Sequence, residues 1–305
     1  MISLRIASRR SMLAMAQSGL VATAIQQAHP GADVQIVSMD TRGDRTAGEL
    51  TPIGGKGLFT AELEEALRSG AVDLAVHSAK DLPVEMPLDM TIAAVPLRED
   101  ARDALVAMPP AADDAQPLSL AQLLSDLPQR AVVGTSSPRR RAQLLAARSD
   151  LDVVLLRGNV ETRIHKALQG PYDAVVLAMA GLNRSGLAGQ YRKHIRPLPM
   201  DEFVPAAAQG ALAIQTLAAN ESIRLLLAPL NDLPSQQALL SERHVLQSLG
   251  ADCHSCLAVH IRKEPQGWSA AGMIAGVDGS NLLRCQAHGD EAMEAAKRLL
   301  EQLRP

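Results

Sequence analysis

Short apolar runs and helix-period stretches take turns along the first two hundred residues, and few folds accept such a rhythm. Leu4–Ala7 reads as a strand, Ser11 to Gln27 carries apolar residues at helical spacing, and VQIVSM is a second strand. After a glycine-bearing IGGKG loop, FTAELEEALRSG reads as a helix closed by Gly70, and DLAVHS as the next strand. Strand and helix alternating in this way predict a mostly parallel sheet with helices on both faces.

The rhythm starts again after MPPAADDAQP (108–117), a Pro-, Ala- and Asp-rich linker or loop. AVVG, RRRAQLLAAR, VVLL, VETRIHKALQ and DAVVLA then read as strand, helix, strand, helix, strand. RPLPMDEFVPAAAQG (196–210) is irregular and reads as a crossing back toward the first unit. LAPLNDLPS (227–235) opens a third region. It holds a helix, SQQALLSERHVLQSLG, then a cysteine-bearing loop, strands around VHIR, AAGMIAG and LLRCQAH, and a last amphipathic helix, AMEAAKRLLEQL. At 305 residues the chain exceeds one compact core and suits two or three domains.

Three tracts place basic side chains just past strand-like runs: AVDLAVHSAKDLP (71–83), AVVGTSSPRRRAQL (131–144) and VVLLRGNVETRIHK (153–166). Ligands of open α/β sheets settle in the crevice beyond the carboxyl ends of the strands. A guanidinium fork there meets a carboxylate or phosphate with two hydrogen bonds. Between Arg130 and Lys166 stand eight Lys or Arg against three Asp or Glu, although the whole chain has a formal charge of −3. The net charge of −3 argues against a general nucleic-acid binder, and what positive charge there is stands focused in one stretch. Aromatic residues at 2% leave little for base stacking.

In GTSSPRRRAQL, Pro138 suits the first helical turn and Ser136 or Ser137 the N-cap, so free backbone N–H groups, hydroxyls, Arg139 and Arg140 gather at one helix start. That is an anion site in form; the plain alternative is a capped surface helix with solvated arginines. LRGNVETR repeats the design with Arg157, Gly158, Asn159 as cap, and Arg163. Arg9 in ASRRS and Arg184 in AGLNRSG are weaker echoes. Asp81, directly after Lys80, is the carboxylate beside the cations of the first tract, suited to holding a positive charge that develops on substrate or to carrying a proton. His77 alternates with apolar residues and reads as a packed core histidine.

The loop LGADCHSCLAVH admits several readings. Cys253-x-x-Cys256 with His260 is half of a zinc site that needs His254 or Cys285 to complete it. A nucleophilic or cofactor-bearing thiol is a second reading, an inert buried one a third. Three cysteines are too few for a disulfide framework, and the N-terminus shows neither a cleavable signal nor a membrane span, so the expectation is a cytoplasmic protein. The rival from another class is a solute-binding protein. An extra negative charge at Asp81 disfavours it, since a passive receptor for an anion gains nothing from one.

RIASRRS, GGKGLF-x-x-ELE, DLAVHSAKDLP, VGTSSPRRRAQL, LRGNVETR, AGLNR and AAAQGALAIQ occur in the order in which they stand in the porphobilinogen deaminases, also called hydroxymethylbilane synthases, and the chain resembles that family over nearly its whole length. The resemblance implies an α/β fold of three domains. Two would be lobes like type II periplasmic binding proteins, 1–100 with about 203–222, and 101–202. The third, 223–305, would be a small α+β domain carrying the cysteine loop.

It implies a transferase of tetrapyrrole, porphyrin and heme biosynthesis that deaminates four porphobilinogens, joins them head to tail on a covalent dipyrromethane cofactor and releases hydroxymethylbilane. The family's residues fall on Asp81 as the catalytic group. Cys253 would form the thioether to the cofactor, which Lys80, Ser78, Arg139, Arg140, Thr135, Ser136 and Ser137 would hold. Arg9, Arg157, Arg163, Arg184, Lys56 and Phe59 would meet substrate. No metal, nucleic acid or membrane is implied, and a monomer is expected. The cysteine loop departs from the family: relatives show Gly-Gly-Cys with proline three residues later, where this chain has Ala251-Asp252-Cys253-His254-Ser255-Cys256. Pro52 replaces a frequent lysine.

Overall fold

The computed structural model describes residues 2–41, 60–108, 118–250 and 256–304. The chain groups into two compact units, Met1–Arg98 with Ala211–Gln236, and Glu99–Gly210 with Gln237–Pro305. Strands in chain order are β1 (Ser3–Arg9), β2 (Asp33–Met39), β3 (Leu74–Ser78), β4 (Met90–Ala94), β5 (Asp103–Ala107), β6 (Val132–Gly134), β7 (Asp152–Val154), β8 (Ala174–Ala178), β9 (Ile195–Pro197), β10 (Leu212–Leu217), β11 (Leu257–Glu264), β12 (Gly267–Ile274) and β13 (Leu283–Gly289).

The first unit holds a sheet of order β2-β1-β3-β10-β4. β1 runs parallel to β2 and β3, and β10 runs antiparallel to β3 and β4. The second holds β7-β6-β8-β5-β9, with β6 parallel to β7 and β8, and β5 antiparallel to β8 and β9. Both sheets therefore share one strand order. The mostly parallel sheet expected from the sequence is present in both units with one exception each: four strands run the same way, and the strand that follows the chain's entry from the other unit (β5 or β10) lies reversed in the interior. Their short apolar runs carry no local mark of direction.

Helix ends follow local chemistry. Ser11 accepts from the Ala14 amide and starts the Met12–Ala28 helix. Ala61–Arg68 ends with Gly70 at φ +68°, its amide bonded to Leu67 O and that of Ala71 to Ala66 O. This double bond closes the carbonyls that a helix end leaves open. The Met12–Ala28 helix buries Val21 and Ile25 against Leu4, Ile6, Leu74 and Val76.

In the second unit Leu105, Val133, Val153 and Val176 pack with Leu144 and fully buried Phe203. The antiparallel β11-β12-β13 sheet is covered by the Ala292–Leu303 helix, whose Ala292, Ala295, Ala296, Leu299, Leu300 and Leu303 recur at helical spacing and face Val259, Ile261 and Trp268. The buried Glu242 carboxylate, on the Leu233–Ser248 helix, accepts amides from Ala208 and from Ile261 of β11. That carboxylate bridges the crossing segment and the small sheet.

Candidate functional site

In the first unit the chemistry collects where β3 ends. Ala79–Asp81 forms a short 3-10 turn, and the Ala79 amide donates to Ala211 O at 3.0 Å, pinning the turn to the chain just before β10. Asp81 is exposed and Lys80 half-buried. The Ser78 hydroxyl lies 2.9 Å from Gln17 Nε2, so the helix Met12–Ala28 fixes its direction. His77 is buried, with Nε2 2.9 Å from Gln215 Oε1. Burial chiefly, helped by the Arg9 charge and opposed by the Gln215 bond, lowers its pKa to about 4, as a neutral core histidine requires. Arg9 closes β1 half-buried, while its neighbour Arg10 pairs with Asp40 at 2.8 Å.

In the second unit Pro138–Ala147 begins as the sequence implies. Ser137 is the cap and accepts from the Arg140 amide; Pro138 takes the first helical place; the Ser137 amide donates to Thr135 Oγ1 at 3.2 Å. Thr135 is buried and Ser136 exposed. Thr135, Ser136, Ser137 and Pro138 line a hollow of about 180 Å³ together with Arg141, Val153–Leu155 and Val277.

Arg139 and Arg140 are not solvated. Both are buried on Asp103, the first residue of β5 and itself wholly buried. Asp103 Oδ2 accepts from Arg139 Nη2 at 2.7 Å; Oδ1 accepts from Arg140 Nε at 3.0 Å, Arg140 Nη2 at 2.7 Å and Gln209 Nε2 at 2.9 Å. Burial alone would raise this carboxyl, but the two guanidiniums and Gln209 hold it far below the usual carboxylate range. Arg139 Nη1 continues to Val204 O, Arg140 Nη1 to Val176 O, and the Arg139 guanidinium stands 5.9 Å from the Phe203 ring.

The next turn places Asn159 as the cap of Val160–Leu168, accepting from the Thr162 amide, with Gly158 at φ +120°. Arg163 Nε donates to Gly158 O at 2.7 Å. Burial first, and the Arg140 charge second, push the Arg163 guanidinium below its ordinary value. Arg157 is half-buried, with its carbonyl taken by Lys166 Nζ. Arg184 donates to Gly210 O at 2.8 Å; burial lowers its pKa while Glu99 works against that shift.

The structure thus places Arg139 and Arg140 at the start of the Pro138–Ala147 helix and Arg163 near the start of the Val160–Leu168 helix, both in the second unit, and Ser78, Lys80 and Asp81 on one turn of the first. Cys253, Lys56 and Phe59 lie outside the described residues. Cys256, described, is buried, and burial pushes its thiol up. Among the described residues no cluster of His, Cys, Asp or Glu could hold a metal ion, and no helix is long and apolar enough to cross a membrane. Asp103 and Gln209 were missed in the sequence. The signal was an acid heading a fully buried run, DALVA, where nothing short of a paired charge is tolerated.

Two sheets of one strand order, each with polar and cationic turns at its strand ends, define an α/β protein with two like sheets. The family model described as porphobilinogen deaminase, dipyromethane cofactor binding domain, matches residues 4–225. A porphobilinogen deaminase of Roseiflexus sp. (strain RS-1) is 45% identical over 278 residues, covering 91% of this chain and 87% of that protein. One of Burkholderia mallei (strain SAVP1) is 44% identical over 294 residues, 96% and 85% of the two chains. Among solved structures, the aliphatic sulphonate binding protein SsuA of Escherichia coli is similar at a TM-score of 0.42 and 14% identity, over 81% of this chain and 70% of that one. The periplasmic VFT2 domain of BvgS from Bordetella pertussis is similar at 0.42 and 15%, over 80% and 92%. The chain belongs to the porphobilinogen deaminase family, enzymes of tetrapyrrole biosynthesis.

Proposed function

We propose that this chain is a hydroxymethylbilane synthase that joins four porphobilinogens head to tail on a dipyrromethane tethered through a thioether to Cys253, releasing ammonia at each addition and then the linear product. The reading includes three domains, 1–100 with about 203–222, 101–202 and 223–305, the first two like type II periplasmic binding proteins. The three separate sheets and the common strand order of the larger two support it. It also includes a monomer working in the cytoplasm and a product that feeds heme synthesis.

The observation that carries the reading is Arg163. Half-buried, with Nε donating to Gly158 O at 2.7 Å, its guanidinium is held near the start of the Val160–Leu168 helix, where its other N–H groups would meet a ligand carboxylate. Each pyrrole brings two carboxylates, so a growing chain of them is a dense anion. The donor set fits the cofactor: Thr135, Ser136 and Ser137 offer hydroxyls and helix-start amides beside the hollow, with the Arg139 and Arg140 charges behind. Bound there, a dipyrromethane would supply the free pyrrole carbon that accepts the first unit and so primes head-to-tail growth.

Arg9, Arg157, Arg163 and Arg184 would take substrate acetate and propionate arms, and Lys80 and Ser78 the cofactor's. Lys56 and Phe59 would border the cleft. Asp81, carried on a pinned turn and open to solvent, would face the cationic pyrrole species and move its proton. Purified protein given porphobilinogen should release one ammonia per unit consumed and accumulate a linear tetrapyrrole. Intact porphobilinogen after prolonged incubation with correctly folded protein would overturn the reading.

A further inference from the structure

Asp103 never reaches the loops assigned to ligand, yet it gathers more donors than any nearby carboxylate. Four hydrogen bonds from Arg139, Arg140 and Gln209 converge on its two oxygens, all at 2.7–3.0 Å. Gln209 Nε2 also donates to Ala101 O, and Val204 O accepts from both Arg139 Nη1 and Gln143 Nε2. One buried carboxylate therefore ties β5, the Pro138–Ala147 helix and the crossing segment from Val204 to Gln209 into one polar unit. Charge-assisted bonds of this kind fix direction as well as position.

We propose that Asp103 is a positioning residue of the anion site: by gripping Arg139 and Arg140 together it fixes their charge at the start of the Pro138–Ala147 helix, behind the hollow lined by Thr135, Ser136 and Ser137. The inference rests on the functional reading above and adds to it a residue that acts only through others. Arg140 is anchored on one side by Asp103 and on the other by Val176 O, so its guanidinium is held in one place. Two like charges sharing one carboxylate keep a net positive field at the helix start while their side chains stay in place.

Asp103→Asn separates two accounts by sign. If the carboxylate mattered only as a negative charge near an anion, its removal would tighten anion binding and lower KM. If it positions, the arginines lose their shared anchor: KM for porphobilinogen rises tenfold or more, kcat stays within threefold, and Asp103→Glu, which keeps the charge but displaces it, does not restore KM. A lowered KM, or kinetics that change only in proportion to the folded fraction, would overturn the proposal. Should Asp103→Asn fail to fold, Gln209→Met removes one donor to the same oxygen without stranding a charge. A threefold or larger rise in KM is then expected, and an unchanged KM overturns the inference. Wild-type protein that releases no ammonia would sink the functional reading instead. In that case the same variants are compared for the protection citrate gives against thermal unfolding, with at least tenfold more citrate needed by Asp103→Asn and equal protection as the overturning result.

Discussion

Glu99 and Gly210 meet backbone to backbone: the Glu99 amide donates to the Gly210 carbonyl at 3.1 Å, and a Cβ on Gly210 would sit 2.3 Å from the Glu99 carbonyl oxygen. Gly210 holds φ +88°, and its carbonyl also takes Arg184 Nη2. Gly210→Ala would strain the backbone and force this contact open, at a cost of about 3 kcal/mol. The expected result is a lower urea midpoint with an unchanged slope. A wild-type midpoint would show that the pairing yields freely.

Asp81→Asn preserves shape and removes the charge. Because Asp81 is exposed, the melting temperature should stay where it is. Turnover of porphobilinogen should fall roughly a thousandfold, the scale of losing a charge or proton carrier at a reacting centre. Activity within tenfold of wild type would take Asp81 out of its assigned role.

Intact mass spectrometry addresses the tether. Wild-type protein from cells that make porphobilinogen should carry two pyrrole units on its 32.4 kDa chain. Cys253→Ala should lose them, whereas Cys256→Ser should keep them. The Cys256 thiol is buried and its pKa pushed up, so it stays protonated and a poor nucleophile. An adduct that persists in Cys253→Ala and vanishes in Cys256→Ser would reverse the assignment.

His77 gives stability a pH dependence of known sign. Its folded pKa of about 4 lies below the ordinary 6.5, so the unfolded chain binds the proton more readily. Its contribution is complete above pH 6.5 and is lost as pH falls toward 4, about 3 kcal/mol across the window. Denaturant titrations at about pH 7, 5.5 and 4, bracketing the window, should show that slope in wild type and a shallower one in His77→Gln. Parallel slopes would mean that other groups carry the acid sensitivity.

Much of this architecture was legible because its signals are local. Ser137, Pro138 and Asn159 declare helix starts, Gly70 declares a stop, and the alternation of strand and helix fixes the α/β class. The reversed strands β5 and β10 escaped, since DALVA and LAIQTL are buried runs whose direction is settled by partners far off in sequence. Asp103 escaped for the same reason: in LREDARDAL it looks like one more loop acid, and its arginines lie 36 and 37 residues downstream. Arg139 and Arg140 were found as cations at a helix start, but what holds them was not readable there.

β10 occupies an interior place between β3 and β4, yet it is synthesised after the whole of 99–210. On the ribosome, β3 and β4 must therefore wait with unsatisfied flanks until residue 217 has emerged, while every strand of the β7-β6-β8-β5-β9 sheet is already available by residue 197. The later-encoded sheet can close first, and the N-terminal one is the segment exposed to chaperones and to self-association during translation.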